Sequence, residues 1–598
     1  MTVGPAAGPP HRAAHLCLSD GVPVALARLA VFLHSSNMAD ASLTPTPVAA
    51  RPAATIVVLR DGAGPEVLLS RRAEGSDYTS GAWVFPGGIV DRADREARAF
   101  CDGLDDAAAS AKLGVDAGGL DFWIAAIREA FEESGLLFAT RDGESGGALV
   151  ALDGDDAERL AAWRGRLHRR EAGLADFCRT EGLRLACDRL VYLSWWLTPF
   201  GRAKRYDTRF FVALAPVQQV SAHDGAELVE QIWLPPAEAR SRARALKLLT
   251  PTETTLASLE RFASSAEVVQ WASSVRSVPR TMPHMGTGSA GLRPVLPSEP
   301  AHAELGRIDP LGHGTASYEI VPGRAVRLSE RVLRVTAPNP SLMTGPGTNS
   351  YLVAMQDGDW TVVDPGPAIE AHVEALLAAA APGRIRQILV THTHTDHSPA
   401  AAPLKARTGA TIVGLPANHP EWQDIAFEPD RTVADGDRFV LGPGTTLVAL
   451  HTPGHASNHV CWLLEEERLL FTGDHVMQAS TVVINPPDGD MHGYLRSLDG
   501  LIARDLAWLA PGHGFLMAEP SAAMRAIVAH RLKREAKVVA AMRVRGPATL
   551  EALLPVVYDD VDPKLLRVAS RSLEAHVLKL RQDGSAVDEG GVWRLLAG

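Results

Sequence analysis

The chain reads as a multidomain protein of mixed α/β and α+β class, and three observations say so. Its 598 residues exceed what one hydrophobic core usually serves. Short apolar, β-branched runs alternate with amphipathic helical patterns, the signature of sheets layered with helices. After about residue 520 the strand patterns give way to three helical stretches and a hairpin. Hydrophobic residues make up 46% and charged residues 22%, ordinary for a folded protein. The net charge of −11 gives no global pull toward nucleic acid or an anionic membrane. The five cysteines, Cys17, Cys101, Cys178, Cys187 and Cys461, form no C-x-x-C pair. That argues for a reducing, cytoplasmic setting and against a disulfide framework or a cysteine metal site. No apolar run reaches the roughly 20 residues of a membrane helix, so no membrane partner is expected.

Residues 1–50 are rich in Ala, Pro and Ser and show no sustained periodicity. The apolar run Val22–His34 carries Arg28 and lacks the flanks of a signal segment. Met38 opens Met-Ala-Asp-Ala-Ser-Leu and reads as the natural start, leaving the upstream residues spurious or disordered.

From Pro52 the chain becomes organised. Ala53–Leu59 and Glu66–Ser70 read as strands around a turn with Gly62 and Gly64. Trp83-Val84-Phe85-Pro86-Gly87-Gly88 follows. Far downstream comes Arg128-Glu129-Ala130-Phe131-Glu132-Glu133-Ser134-Gly135-Leu136. In a helix Glu129, Glu132 and Glu133 fall at i, i+3 and i+4 and line one face. Clustered carboxylates repel unless a cation sits among them, and hard oxygen ligands suit Mg²⁺ or Mn²⁺ on a substrate's phosphates. A lone cluster of this kind also fits a solvated acidic face with Arg128 as partner.

The flanks resemble the two ends of a Nudix box. Here 40 positions separate Gly88 from Arg128, and the first glutamate of the box has no clear counterpart. This is similar to the Nudix subgroup of coenzyme A diphosphatases with an insertion inside the box. Trp195-Trp196-Leu197-Thr198-Pro199, Arg205–Phe211 and Glu230–Pro236 resemble that subgroup too. The resemblance covers about residues 51–262. It implies a Nudix α/β/α sandwich that hydrolyses a nucleoside diphosphate or coenzyme A derivative, with Glu129, Glu132 and Glu133 as metal-binding and catalytic residues. Which of them is the general base stays open.

Residues 263–325 read as a linker with a lead-in strand. Pro279, Pro283, Pro294, Pro297, Pro300 and Pro310 interrupt it, a composition expected not to order itself. Strand patterns resume at Tyr318–Val321 and Val332–Val335.

In the next domain the apolar strand Gln387–Val390 runs into Thr391-His392-Thr393-His394-Thr395-Asp396-His397. In extended backbone His392, His394 and Asp396 share one side and His397 the other, so one loop can serve two neighbouring ions. Neutral imidazole and carboxylate suit zinc. Further candidates follow other apolar strands or Pro-Gly turns: His451 to His455, Asp474 and His475, and His513. Asp364, at the end of Trp360–Asp364, reads as a turn-capping residue rather than a ligand. Ile369–Ala380 reads as an amphipathic helix.

The His-x-His-x-Asp-His pattern with these later loops resembles the metallo-β-lactamase superfamily, over about residues 326–519. The resemblance implies an αβ/βα sandwich holding two Zn²⁺ ions. His392, His394 and His455 would bind the first ion, and Asp396, His397 and His513 the second. Asp474 would bridge them, with Asp396 also catalytic. His451, His459 and His475 match no ligand position.

Over 520–598, Ala522–Arg543, Leu550–Val557 and Pro563–Asp583 read as helices and Ala586–Leu596 as a hairpin. This resembles a winged helix and, after a lactamase-type domain, the lactamase-β-2-like branch. Residues 523–598 carry 13 Lys+Arg against 9 Asp+Glu, a net +4 that fits phosphate-backbone contact and equally a packing or homodimer module. Three functions stand: a single-stranded RNA phosphodiesterase, an acylglutathione or acyl-CoA thioesterase, or a lactamase-type hydrolase regulated by a Nudix half that only binds a nucleotide.

Overall fold

The computed structural model describes residues 48–596 apart from 76–78, 145, 153, 226, 420–422 and 479–480. The expectations for Val22–His34 and for a start at Met38 lie outside the described residues. Among the described residues no helix is long and apolar enough to cross a membrane.

Strand Arg51–Asp61 is the spine of the first sheet. Alternation puts Ile56 and Val58 on one face and Val57 and Leu59 on the other, all fully buried. Helix Leu120–Ser134 packs Ile124, Ile127 and Phe131 on the first face. Helices Thr250–Leu259 and Ser265–Ser274 pack Leu256, Leu259 and Val268 on the second. Each such side chain contributes about 1.5–3 kcal/mol by leaving water. The sheet order is Leu228–Leu234, Pro65–Arg72, Arg51–Asp61, Tyr206–Leu214, Val191–Leu197, Arg280–Thr281. This is an α/β/α sandwich.

Residues 264–320 correct the reading of a segment unable to order itself. Helix Ser265–Ser274 belongs to the first core, and Arg280–Thr281 adds an edge strand beside Trp195–Trp196. A hairpin follows, His284–Gly288 with Gly291–Val295, then helix His302–Ile308. Val295, Ala301, Leu305 and Ala316 form a small core with Phe515. Composition counted the prolines and missed apolar residues that bury only against a distant partner. Tyr318–Val321 is not a strand: an isolated bridge joins Ser317 to Thr287, Ser317 Oγ accepts from the Glu319 amide at 3.0 Å, and the next strand is Ala325–Arg327.

Two sheets build the next domain. One has seven strands, from Ala325–Arg327 to Arg431–Thr432, and the other has five, from Arg438–Gly442 to Trp508–Pro511. Their inner faces meet through Tyr351, Val353, Leu389, Leu447, Trp462 and Phe471. Helices Glu370–Ala380 and Ala401–Thr408 cover the outside of the first sheet, and Met491–Ile502 that of the second. This is the expected αβ/βα layering.

Helices Pro520–Arg545, Leu550–Val557 and Leu566–Gln582 follow, with the hairpin Ala586–Asp588 and Trp593–Leu595. They share a core around Val538, Leu553, Leu573 and Trp593. Met524 and Ala575 join the core of the five-stranded sheet.

Candidate active sites

The strand Ile385–Leu389 ends where the histidine loop begins. His392 Nε2 lies 2.9 Å from His394 Nδ1, and His455 Nε2 lies 3.0 Å from the same atom. On the other side Asp396 Oδ2 stands 3.5 Å from His397 Nε2 and 3.4 Å from His513 Nε2. Asp474 lies between the two groups. Its Oδ1 is 3.4 Å from His397 Nε2 and 3.2 Å from His513 Nε2, while its Oδ2 is 3.8 Å from His455 Nε2. The ligand-type atoms of His392, His394 and His455 all lie within 4.8 Å of one another, as do those of Asp396, His397 and His513. All seven residues proposed from the sequence therefore meet in one place.

The far sides of the rings are tied down. His397 Nδ1 donates to Asp364 at 2.9 Å, His455 Nδ1 to the Val483 carbonyl at 2.7 Å, and His513 Nδ1 to the Gly347 carbonyl at 3.2 Å. Thr348 Oγ1 donates to Asp396 at 3.0 Å. Such outer partners aim a ligating ring and select its tautomer. Asp364 is thus more than a turn cap. It accepts from the Thr391 amide and hydroxyl as well as His397, and holds a left-handed backbone (φ 52°) to do so. His459 and His475 are buried and His451 is exposed.

Burial, with the neighbouring histidines, pushes His392 well below the usual imidazole range and His394 down to about 4. Burial would also lower His397, but Asp396, Asp474 and Asp364 hold it well above that range. His397 Nε2 and Asp474 Oδ1 are buried without a hydrogen-bond partner. Orphaned ring nitrogen and carboxylate oxygen, converging with neutral imidazoles, fit divalent metal ions.

Glu129, Glu132 and Glu133 line a second place, a cavity of about 1300 Å³ in the first sandwich. The Gly87 amide donates to Glu133 at 2.8 Å. A Cβ on Gly88 would come within 2.2 Å of Glu129 Oε1, so a side chain there would push the Glu129 carboxylate from its place. Burial raises all three carboxyls, Glu132 to about 7. Crowded carboxylates held out of water fit a hard cation. Pro283 and Pro294, from the segment between the sandwiches, form part of the wall.

The missing first acid of the box is Asp94. It is 1% exposed and takes Arg128 Nε at 2.7 Å and Nη2 at 3.2 Å. Arg128 also reaches Glu129 at 2.7 Å and so fixes one of the three glutamates. The signal was an acid six positions after Gly88, one methylene shorter than expected, with the inserted residues coming after it.

Comparison with known proteins bears on both sites. The model "Metallo-beta-lactamase superfamily" matches residues 343–513. An atrochrysone carboxyl ACP thioesterase of Aspergillus chevalieri is 30% identical over 285 residues, covering 45% of this chain and 87% of the relative. The chain belongs to the metallo-beta-lactamase superfamily. The lactamase-like protein aptB of Emericella nidulans is also 30% identical, over 44% of this chain and 85% of its own length. Beside the lactamase domain, the "NUDIX domain" model matches residues 50–159 and the "NUDT19 Nudix domain" model residues 116–255. A "Beta-lactamase associated winged helix domain" matches residues 549–593. A NUDIX hydrolase structure from Alicyclobacillus acidocaldarius is 28% identical over 39% of this chain and 98% of that one, at a TM-score of 0.32. The protein is therefore a hydrolase that joins a Nudix domain to a lactamase domain and its winged helix, and both enzyme families depend on metal.

Proposed function

We propose that the lactamase domain is a two-zinc thioesterase and that the Nudix domain cleaves the diphosphate of a coenzyme A-like nucleotide. One observation carries the first part: Asp474 turns one oxygen toward each of two groups of ligand atoms. His392, His394 and His455 would hold one ion, Asp396, His397 and His513 the other, with Asp474 between. Such a pair of ions supplies a water acidified toward neutrality and a Lewis acid for the carbonyl. The chain's own part is to keep His392, His394 and His455 neutral by burial, and to aim His397 through Asp364. Asp396, a member of the second group steadied by Thr348, would also orient the attacking water. The thioesterase name of a relative favours a thioester over other esters.

In the Nudix domain Glu129, Glu132 and Glu133 would hold Mg²⁺ or Mn²⁺ against the diphosphate, with Asp94 and Arg128 fixing Glu129. The cavity has room for a nucleotide with an extended arm. An acyl thioester of coenzyme A carries both bonds these sites would cut.

Against the single-stranded RNA reading, two central cations of the basic helix are engaged within the protein. Arg531 is 3% exposed and donates to the Val482 carbonyl, and Arg534 pairs with Asp560 at 2.8 Å. These contacts favour a packing role for the winged helix.

The full chain, loaded with zinc and magnesium, is tested on acyl-CoA, acylglutathione, coenzyme A and a labelled RNA oligomer. Thioester cleavage lost in His392→Ala but kept in Glu132→Gln, with the reverse for diphosphate cleavage, supports the proposal. RNA cleavage without thioester cleavage refutes its first part, and coenzyme A binding without turnover refutes its second.

A further inference from the structure

The loop that carries His513 is held from two sides, by its own domain and by the segment between the two sandwiches. Within the lactamase domain Asn349 Nδ2 donates to the Gly514 carbonyl at 2.8 Å, and Tyr351 Oη to that of Pro511 at 2.7 Å. The Asn349 amide donates to the Gly512 carbonyl at 2.7 Å, and Leu509 and Met517 exchange backbone bonds at 3.0 Å. A further set of contacts reaches the loop from residues 295–316, outside the stretch matched to the lactamase family. Glu304 Oε2 accepts from the Leu516 amide at 2.8 Å. The same carboxylate grips Arg334 at 2.6 and 2.9 Å, and Arg334 reaches toward the Gly514 carbonyl at 3.4 Å. Gln478 accepts from the Phe515 amide at 2.8 Å and donates to the Pro300 carbonyl at 2.9 Å. The Phe515 side chain inserts among Val295, Ala301, Leu305 and Ala316.

We infer that this segment between the two sandwiches is part of the lactamase-type site, a brace for the His513 loop with Glu304 as its positioning residue. Glu304 and Arg334 are almost wholly buried, at 1% and 2% exposure. A pair withdrawn from water so completely adds little net stability over apolar residues of the same volume. What this pair does supply is direction: a fixed acceptor for an amide three residues after His513. The apolar plug and the Gln478 bridge reach the same loop from the same segment. Outer partners of a metal ligand typically govern how tightly the ion is held. The inference rests on the reading that His513 and Asp474 hold a divalent ion.

Two variants of the full chain test it. Glu304→Met with Arg334→Met removes the pair without leaving a lone buried charge. Leu305→Ala loosens the seat of Phe515 and substitutes no residue of the lactamase domain itself. Zinc affinity is read by competition with a chromophoric chelator, and ligand geometry by the visible bands of the cobalt-substituted protein. The expected result is one of two ions held about tenfold more weakly, with shifted cobalt bands, in a protein whose circular dichroism is unchanged. If the double variant does not fold, Leu305→Ala decides alone. Folded variants with wild-type zinc affinity and wild-type cobalt bands overturn the brace while the metal reading stands. A wild-type chain that takes up no zinc overturns the metal reading and the brace with it.

Discussion

Asp94 and Arg128 meet as a two-pronged ion pair although 34 positions separate them in the chain. The inserted residues loop out between them and leave the pair intact. Arg128 is half of the pair and also the partner of Glu129, so Asp94 acts on the Nudix site at one remove. Asp94→Asn should lower diphosphate hydrolysis about ten- to a hundredfold. It should also lower thermal stability, because a largely buried guanidinium loses one of its counter-charges. Full activity at saturating magnesium would show that the pair has no bearing on the site.

Removing a proposed ligand should empty the lactamase site without unfolding it. His392→Ala and Asp474→Ala are each expected to reduce thioester hydrolysis at least about a hundredfold and to lower bound zinc. Elemental analysis alongside circular dichroism checks this. A native-like rate with depleted zinc contradicts the two-ion model.

His372 offers a pH test away from the ligands. It is fully buried against Ser350, at 2.9 Å, on the helix Glu370–Ala380. Burial pushes it down to about 4. The unfolded chain, with an imidazole near 6.5, takes up this proton first. Stability from this group is therefore present above pH 6.5, declines as pH falls toward 4, and changes no further below that. The loss is on the order of 3 kcal/mol over that window. His372→Gln, which keeps a partner for Ser350, should flatten urea-denatured stability between pH 6.5 and 4; an unchanged slope would contradict the assignment.

Arg531 joins the winged helix to the lactamase domain. It donates to the Val482 carbonyl, and the next carbonyl, of Val483, accepts the hydrogen bond from His455 Nδ1. Arg531→Met should destabilise the protein by roughly 2 kcal/mol through the lost charged hydrogen bond. Zinc should also exchange faster in a chelator assay. Affinity for an RNA oligomer should be unaffected.

The lactamase cluster was legible as candidates because histidines and aspartates follow strands or Pro-Gly turns, and the resemblance to the superfamily singled out the seven that the structure brings together. Asp364 was found but read too narrowly: its side chain meets His397 only after two parallel strands bring position 364 beside 391. Asp94 was missed because its pairing with Arg128 spans the insertion. The segment from 264 to 320 was misread for a deeper reason. Prolines are local and visible, whereas Leu305 and Val295 bury against Phe515, and Glu304 bonds an amide 212 positions away. Composition describes what a segment can do alone and is silent about what it can do against a neighbour.

The wall of the Nudix cavity includes Pro294, and the seat of Phe515 begins at Val295. Adjacent residues thus face different chambers. A gene cut anywhere between 283 and 316, to express two catalytic halves apart, would strip a surface from one of them. Clean separation calls for overlapping fragments, each retaining that stretch in full.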